Sequence, residues 1–140
     1  MNNGDLWGNR ALDCHEKRAR PRRLLIVDDD SRLCRMLIRR LISRFDTLYA
    51  ASTLEEANRR LDLEEITHLI CDHHLGDGAP KGTELVARWR REHSSIERAV
   101  LFTDEHLYEV AAPAGLDAIV YKTTDFYELV AALGLWEQGP

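Results

Sequence analysis

The chain is 140 residues long, 44% hydrophobic and 31% charged, with a formal net charge of -5. That length fits one domain with a proper core, and the acidic balance argues against non-specific nucleic-acid binding by the folded part. No apolar run is long enough to cross a bilayer, and the N-terminus lacks the apolar region of a secretory signal. Cys14, Cys34 and Cys71 show no metal-ligand spacing and read as reduced thiols of a cytoplasmic protein.

Residues 1–21 differ from the rest. Met1 to Asp13 is polar and without period, and Lys17, Arg18, Arg20, Arg22 and Arg23 form a basic stretch broken by Pro21. This composition predicts a flexible basic extension at 1–21 ahead of a domain at 22–140; the alternative is a docking arm for an acidic partner or nucleic acid. From Leu24 onward, apolar runs alternate with helical periods. A strand at 24–28 is followed by a helix from Ser31 to Ser43, where Leu33, Met36, Leu37 and Leu41 recur at helical spacing with Arg32, Arg35, Arg39 and Arg40 between them. Thr47 to Ala50 is a short strand. Ser52 with Glu55 predicts a capping box opening a helix to about Leu61. Ile66 to Cys71 is a strand. The Gly-rich loop Gly76 to Gly82 precedes a helix over about Thr83 to Glu92, with Leu85, Val86 and Trp89 on one face. Ala99 to Thr103 is a strand. His106 to Ala112 is a short helix ended by Pro113 and Gly115. Ala118 to Lys122 is a strand, and Thr124 caps a last helix to about Leu133, with Gly134 as its stop. Alternating strands and helices imply an α/β fold with parallel pairing and right-handed crossovers. Strands apolar along their whole length imply a sheet covered on both faces, a doubly wound arrangement.

The ends of four strands carry the chemistry. Leu24 to Val27 runs into Asp28-Asp29-Asp30, His68 to Cys71 into Asp72, Ala99 to Phe102 into Thr103, and Ala118 to Tyr121 into Lys122. Ligands of open α/β sheets sit at the carboxyl ends of the strands. Adjacent Asp28 and Asp29 point in different directions and together can hold a hard cation such as Mg²⁺. Asp72 supplies a third carboxylate, and three crowded carboxylates repel unless a cation joins them. A carboxylate in such a place can attack phosphorus to give an aspartyl phosphate. Lys122 would neutralise the other phosphoryl oxygens and Thr103 would donate a hydroxyl hydrogen bond to them. Any one of these aspartates could merely cap a helix; all of them at strand ends favour a phosphoryl site.

In these residues, from about Arg23 to Leu133, the chain resembles a response-regulator receiver domain of two-component signalling, of the stand-alone type. The motif residues Val27-Asp28-Asp29, Asp72, Thr103 and Lys122 stand in family order and at near-family spacing. The resemblance implies a flavodoxin-like, five-stranded parallel sheet with helices on both faces. It implies that Asp72 accepts a phosphoryl group from a phosphohistidine on a sensor histidine kinase or histidine phosphotransfer protein. Asp29, Asp72 and the backbone carbonyl of His74 would ligate Mg²⁺, or Mn²⁺ in its place, with Asp28 acting through a bound water. Lys122 would contact the phosphoryl and Thr103 would swing inward to bond it, changing the surface shown to a downstream protein partner. No membrane is implied, nor nucleic acid, since no effector domain follows Leu133; the oligomeric state is left open.

Some positions depart from the family pattern. Ile119 stands where a switch aromatic is usual, with Tyr121 two residues on. Thr123 replaces the usual Pro, Asp104 a usual small residue, and Gly76 a common Pro. The segment containing Pro113 is short. These departures motivate an alternative, a receiver-fold adaptor that binds partners without phosphorylation. Asp72-His73-His74 also resembles the metal tripeptide of DHH phosphoesterases, but successive residues of a strand cannot all face one point. Cys71 and Trp89 read as core, and Trp136 as a cover for the end of the last helix.

Overall fold

The structure, a computed structural model, describes residues 21–104, 115–123 and 125–135. Its elements in chain order are β1 (Arg23–Val27), α1 (Ser31–Leu41) with a 3-10 turn at Ile42–Arg44, β2 (Thr47–Ala51), α2 (Leu54–Leu63), β3 (His68–Cys71), α3 (Gly82–Glu92), β4 (Arg98–Thr103), β5 (Ala118–Tyr121) and α4 (Phe126–Ala132). All strand pairs are parallel, in the order β2-β1-β3-β4-β5. This is the doubly wound arrangement that the alternating pattern predicts, in the flavodoxin-like form that the resemblance implies.

Alternation along the buried strands builds two cores. Leu24 and Ile26 of β1 face one layer with Leu37 and Leu41 of α1 and Leu129 and Val130 of α4. Leu25 and Val27 face the other, with Ala57 and Leu61 of α2 and Leu85, Val86 and Trp89 of α3. Leu24, Leu25, Ile26 and Val27 are fully buried, and burying each such side chain contributes about 1.5–3 kcal/mol. Cys71 and Trp89 belong to the second core as expected, and the Trp89 Nε1–H donates to Asn58 Oδ1 at 2.9 Å, tying α3 to α2.

The element boundaries differ from the sequence expectation in instructive places. α2 is capped by Thr53 rather than Ser52: Thr53 Oγ1 accepts from Glu56 N–H at 3.2 Å, and Glu56 Oε1 accepts from the N–H and hydroxyl of Ser52. The run Ser-Thr-Leu-Glu-Glu offers the same three-residue spacing in two registers, and the structure takes the second. α1 stops at Leu41 because the chain tightens into the 3-10 turn, which delivers Phe45 to the core. β3 starts at His68, since Thr67 Oγ1 instead bonds the N–H and carbonyl of Arg23. α4 is capped by Asp125, whose Oδ1 accepts from Tyr127 N–H at 3.0 Å. It ends before Gly134 at φ +77, where Arg98 donates twice to the carbonyl of Ala132. Thr124, the helix expected at His106 to Ala112, Pro113 and Trp136 lie outside the described residues. No helix of the described residues is long and apolar enough to cross a membrane.

Candidate functional site

The sheet order reverses direction at β1, which has β2 on one side and β3 on the other. The carboxyl ends of β1 and β3 therefore flank the crevice where such sheets bind ligands. Ladder hydrogen bonds continue one residue past the strands and fix the backbone there. Asp28 N–H donates to Ala51 O at 3.0 Å, Asp72 N–H to Val27 O at 2.9 Å, and Lys122 N–H to Thr103 O at 2.8 Å. The polar side chains are thus mounted on the rigid edge of the sheet.

At this edge Asp28, Asp29 and Asp72 come together, with one carboxylate oxygen of each lying within 4.8 Å of the others. Asp28 and Asp72 are buried and Asp29 is exposed. Asp28 Oδ1 accepts from Asp30 N–H at 2.9 Å, and Asp28 Oδ2 pairs with Lys122 Nζ at 2.9 Å. Asp72 Oδ1 accepts from His73 N–H at 2.8 Å and lies 3.5 Å from Lys122 Nζ. Both donors grip one oxygen of Asp72, which orients the carboxylate. Thr103, fully buried at the end of β4, is in register with Tyr121 of β5.

Burial pushes the Asp72 carboxyl above the usual range, and the charge of Asp28 adds to it; Lys122 and the His73 N–H oppose the shift. Burial alone would lower the Lys122 ammonium, but the hydrogen bond and charge of Asp28, with the charges of Asp72 and Asp104, hold it up. Lys122 is therefore a firmly protonated point charge. Three carboxylates facing one ammonium leave the crevice short of positive charge, and oxygen donors at this spacing suit a hard divalent cation. Among the described residues no histidine joins the group: His73 is buried and His74 exposed, their rings 5.0 Å apart. The phosphoesterase reading of the tripeptide has no support in this arrangement.

Three neighbours were not evident in the sequence. Cys34 Sγ donates to Asp28 O at 3.4 Å, and burial followed by the charges of Asp28 and Asp30 pushes its thiol up to about 11. It packs in the core beside Leu37 and Leu41, and no local spacing signals its contact with a strand end. Lys81 Nζ lies 3.0 Å from His74 Nδ1 in the loop after β3. Gly82 opens α3 directly against Asp72: a Cβ there would collide with the Asp72 carbonyl and lie 2.8 Å from Leu101 Cδ1. Of the departing positions, Asp104 is exposed yet acts on Lys122, Ile119 is half-buried in register with Leu101, and Thr123 is exposed.

No protein-family model matches the sequence, and no curated protein sequence matches it. Solved structures do. The chain is 24% identical to a response regulator from Burkholderia pseudomallei with a phosphorylated aspartic acid, calcium ion and citrate, covering 80% of this chain and 66% of that one at a TM-score of 0.70. It is 23% identical to the signal receiver domain of an HD domain-containing protein from Pseudomonas fluorescens Pf-5, covering 85% and 96% at a TM-score of 0.72. It is 24% identical to a CheY-like response regulator receiver domain from Methanospirillum hungatei JF-1, covering 84% and 93% at a TM-score of 0.69. The fold is that of response-regulator receiver domains. At these identities the likeness rests on the shared sheet and helices, and the chain spans just under two thirds of the Burkholderia protein.

Proposed function

We propose that this chain is a phosphoacceptor receiver of a two-component or phosphorelay system, with a receiver unit at 22–140 behind a basic extension at 1–21, working in the cytoplasm. The observation that carries the reading is the triad Asp28, Asp29 and Asp72 at the β1 and β3 ends, with Lys122 reaching across from β5. The Burkholderia response regulator, with its phosphorylated aspartic acid and calcium ion, supports it.

In this reading Asp28, Asp29, Asp72 and the backbone carbonyl of His74 hold Mg²⁺, with Mn²⁺ as a substitute. Bound there, the cation neutralises the carboxylates and the incoming phosphoryl oxygens. The donor is a phosphohistidine of a sensor histidine kinase or a histidine phosphotransfer protein. An Asp72 oxygen attacks phosphorus as the phosphorus–nitrogen bond breaks; the imidazole leaves with that electron pair and takes up a proton from solvent. His73 N–H and Lys122 hold Oδ1 of Asp72, presenting Oδ2 to the phosphorus. Lys122 moves part of its charge from Asp28 to the phosphoryl oxygens, and the Thr103 hydroxyl donates to another of them. The changed surface is then read by a downstream protein partner. Asp104, Ile119 and Thr123 favour a second reading, an adaptor that keeps the fold and binds partners unphosphorylated.

Incubation with acetyl phosphate and Mg²⁺, followed by intact-mass measurement, separates the two. The receiver reading expects an added phosphoryl mass that disappears in Asp72→Asn and in EDTA. An unchanged mass at saturating Mg²⁺, with a phosphohistidine donor equally without effect, overturns it in favour of the adaptor.

A further inference from the structure

Helix α3 begins against the local rules. Its N-cap residue is Lys81, which makes no side-chain cap bond. Asp30, Thr53 and Asp125 cap α1, α2 and α4 by accepting from backbone N–H groups. An ammonium has no acceptor to offer an N-terminal N–H. It also stands at the positive end of the helix dipole, where a cation is unfavourable. A residue that breaks a local rule beside a functional crevice is expected to serve another contact.

That contact is with His74. Lys81 Nζ lies 3.0 Å from His74 Nδ1. An ammonium only donates, so Nδ1 accepts and the ring proton sits on Nε2. The pair closes the neck of the loop that leaves the site after Asp72 and returns at α3. Backbone groups hold the inner part of this neck. His73 N–H donates to Asp72 Oδ1, and Gly82 N–H donates to His73 O, both at 2.8 Å. Gly82 packs on the Asp72 carbonyl with no room for a Cβ. His74 is the next residue outward. At the loop tip Gly76 and Gly78 take φ +124 and +83 in open space, so the tip adds little constraint of its own. The charges acting most on Asp72 are those of Asp28 and Lys122. The route from Lys81 to the site is therefore its bond to His74.

We infer that Lys81 is a positioning residue of the cation site: by donating to His74 Nδ1 it fixes the His74 side chain and, through it, the backbone carbonyl given to the divalent cation. The inference rests on the proposed role of that carbonyl and deepens it. Lys81 gives up the capping of α3 in exchange for a fixed site.

The test compares the full-length parent with Lys81→Ser, His74→Phe and the double variant. Ser supplies a cap oxygen in place of the ammonium. Phe keeps a ring and the backbone carbonyl but removes Nδ1. Imidazole nitrogen NMR of the metal-free parent, above the pH range where imidazole protonates, should show Nδ1 without a proton. Lys81→Ser should be at least as stable as the parent in urea with EDTA, because its hydroxyl caps α3. Calorimetry should nevertheless show Mg²⁺ binding about threefold to tenfold weaker, a modest loss because the pair is exposed. In the His74→Phe background the same substitution should not weaken Mg²⁺ binding, since it then removes only a repelling charge. A merely structural role would not move stability and affinity in opposite directions. The inference is overturned if Nδ1 carries the proton, if Lys81→Ser binds Mg²⁺ as tightly as the parent, or if it weakens binding equally in the His74→Phe background. A parent that binds Mg²⁺ but takes no phosphoryl group overturns the phosphoacceptor reading alone, and the affinity comparison still stands. A parent that binds no Mg²⁺ overturns both.

Discussion

Removing the Lys122 ammonium should destabilise the protein in a way that a divalent cation partly repairs. In Lys122→Met, Asp28 loses a partner at 2.9 Å while remaining only 3% exposed, and Asp72 loses one at 3.5 Å. A hydrogen bond to a charged group contributes about 1.5–3 kcal/mol net, and breaking a buried ion pair costs about 3–5 kcal/mol. The Lys122 side chain is 19% exposed, Asp28 keeps the Asp30 N–H, and Asp72 keeps the His73 N–H. The lower end applies, a loss of about 2 kcal/mol at pH 7 in EDTA. A cation in the crevice replaces the missing charge, so saturating MgCl₂ should recover about half of the loss, equivalent to about fivefold tighter Mg²⁺ binding by the variant. Urea unfolding of parent and variant, in EDTA and in MgCl₂, measures both quantities. A loss below about 0.5 kcal/mol in EDTA would show that Lys122 does not hold the carboxylates together. An equal loss in both buffers would show that the cation does not enter among them.

Three further outcomes follow from the same geometry. Gly82→Ala should cost about 1–3 kcal/mol, because the added methyl meets the Asp72 carbonyl, His73 Cα and Leu101 Cδ1; it should also weaken Mg²⁺ binding by displacing Asp72, and calorimetry showing unchanged affinity would contradict that link. His68, buried against Phe45 and bonded to Thr67, is lowered from 6.5 to about 4 by burial and then by Arg22 and Arg98. It is neutral in the folded protein and takes a proton on unfolding below 6.5, so its contribution is present above pH 6.5 and lost as pH falls toward 4. Up to about 3 kcal/mol should disappear across that window, and the decline should flatten in His68→Leu; an identical slope would refute it. Asp104→Ala should speed phosphorylation by acetyl phosphate, since Asp104 adds negative charge near Lys122, and an unchanged rate by stopped-flow would remove Asp104 from the site.

The strand-to-helix alternation and the four polar strand ends could be read directly, because buried parallel strands are apolar throughout and their last residues stand out against that background. Asp28, Asp29, Asp72 and Lys122 come together as their positions suggested, Lys122 lying closer to Asp28 than to Asp72. The helix cap at Thr53 was ambiguous, since Ser52 and Thr53 each have a glutamate three residues ahead. The contacts of Cys34 with Asp28 and of Gly82 with Asp72 depend on how helices seat on the sheet, and no local spacing encodes that. The arginines of α1 were visible as residues between apolar positions. That Arg35 stands beside a recess shared with β2 emerges only when distant segments are packed together.

The most direct test of the central claim is to trap the phosphoryl group and locate it. After reaction with acetyl phosphate and Mg²⁺, borohydride reduction converts an aspartyl phosphate to homoserine, and peptide mass spectrometry reads its position. Homoserine at position 72 alone is the result expected here. Homoserine at position 28 or 29, or a protein that carries none under conditions where Mg²⁺ is bound, would contradict the assignment of Asp72 as the phosphoacceptor.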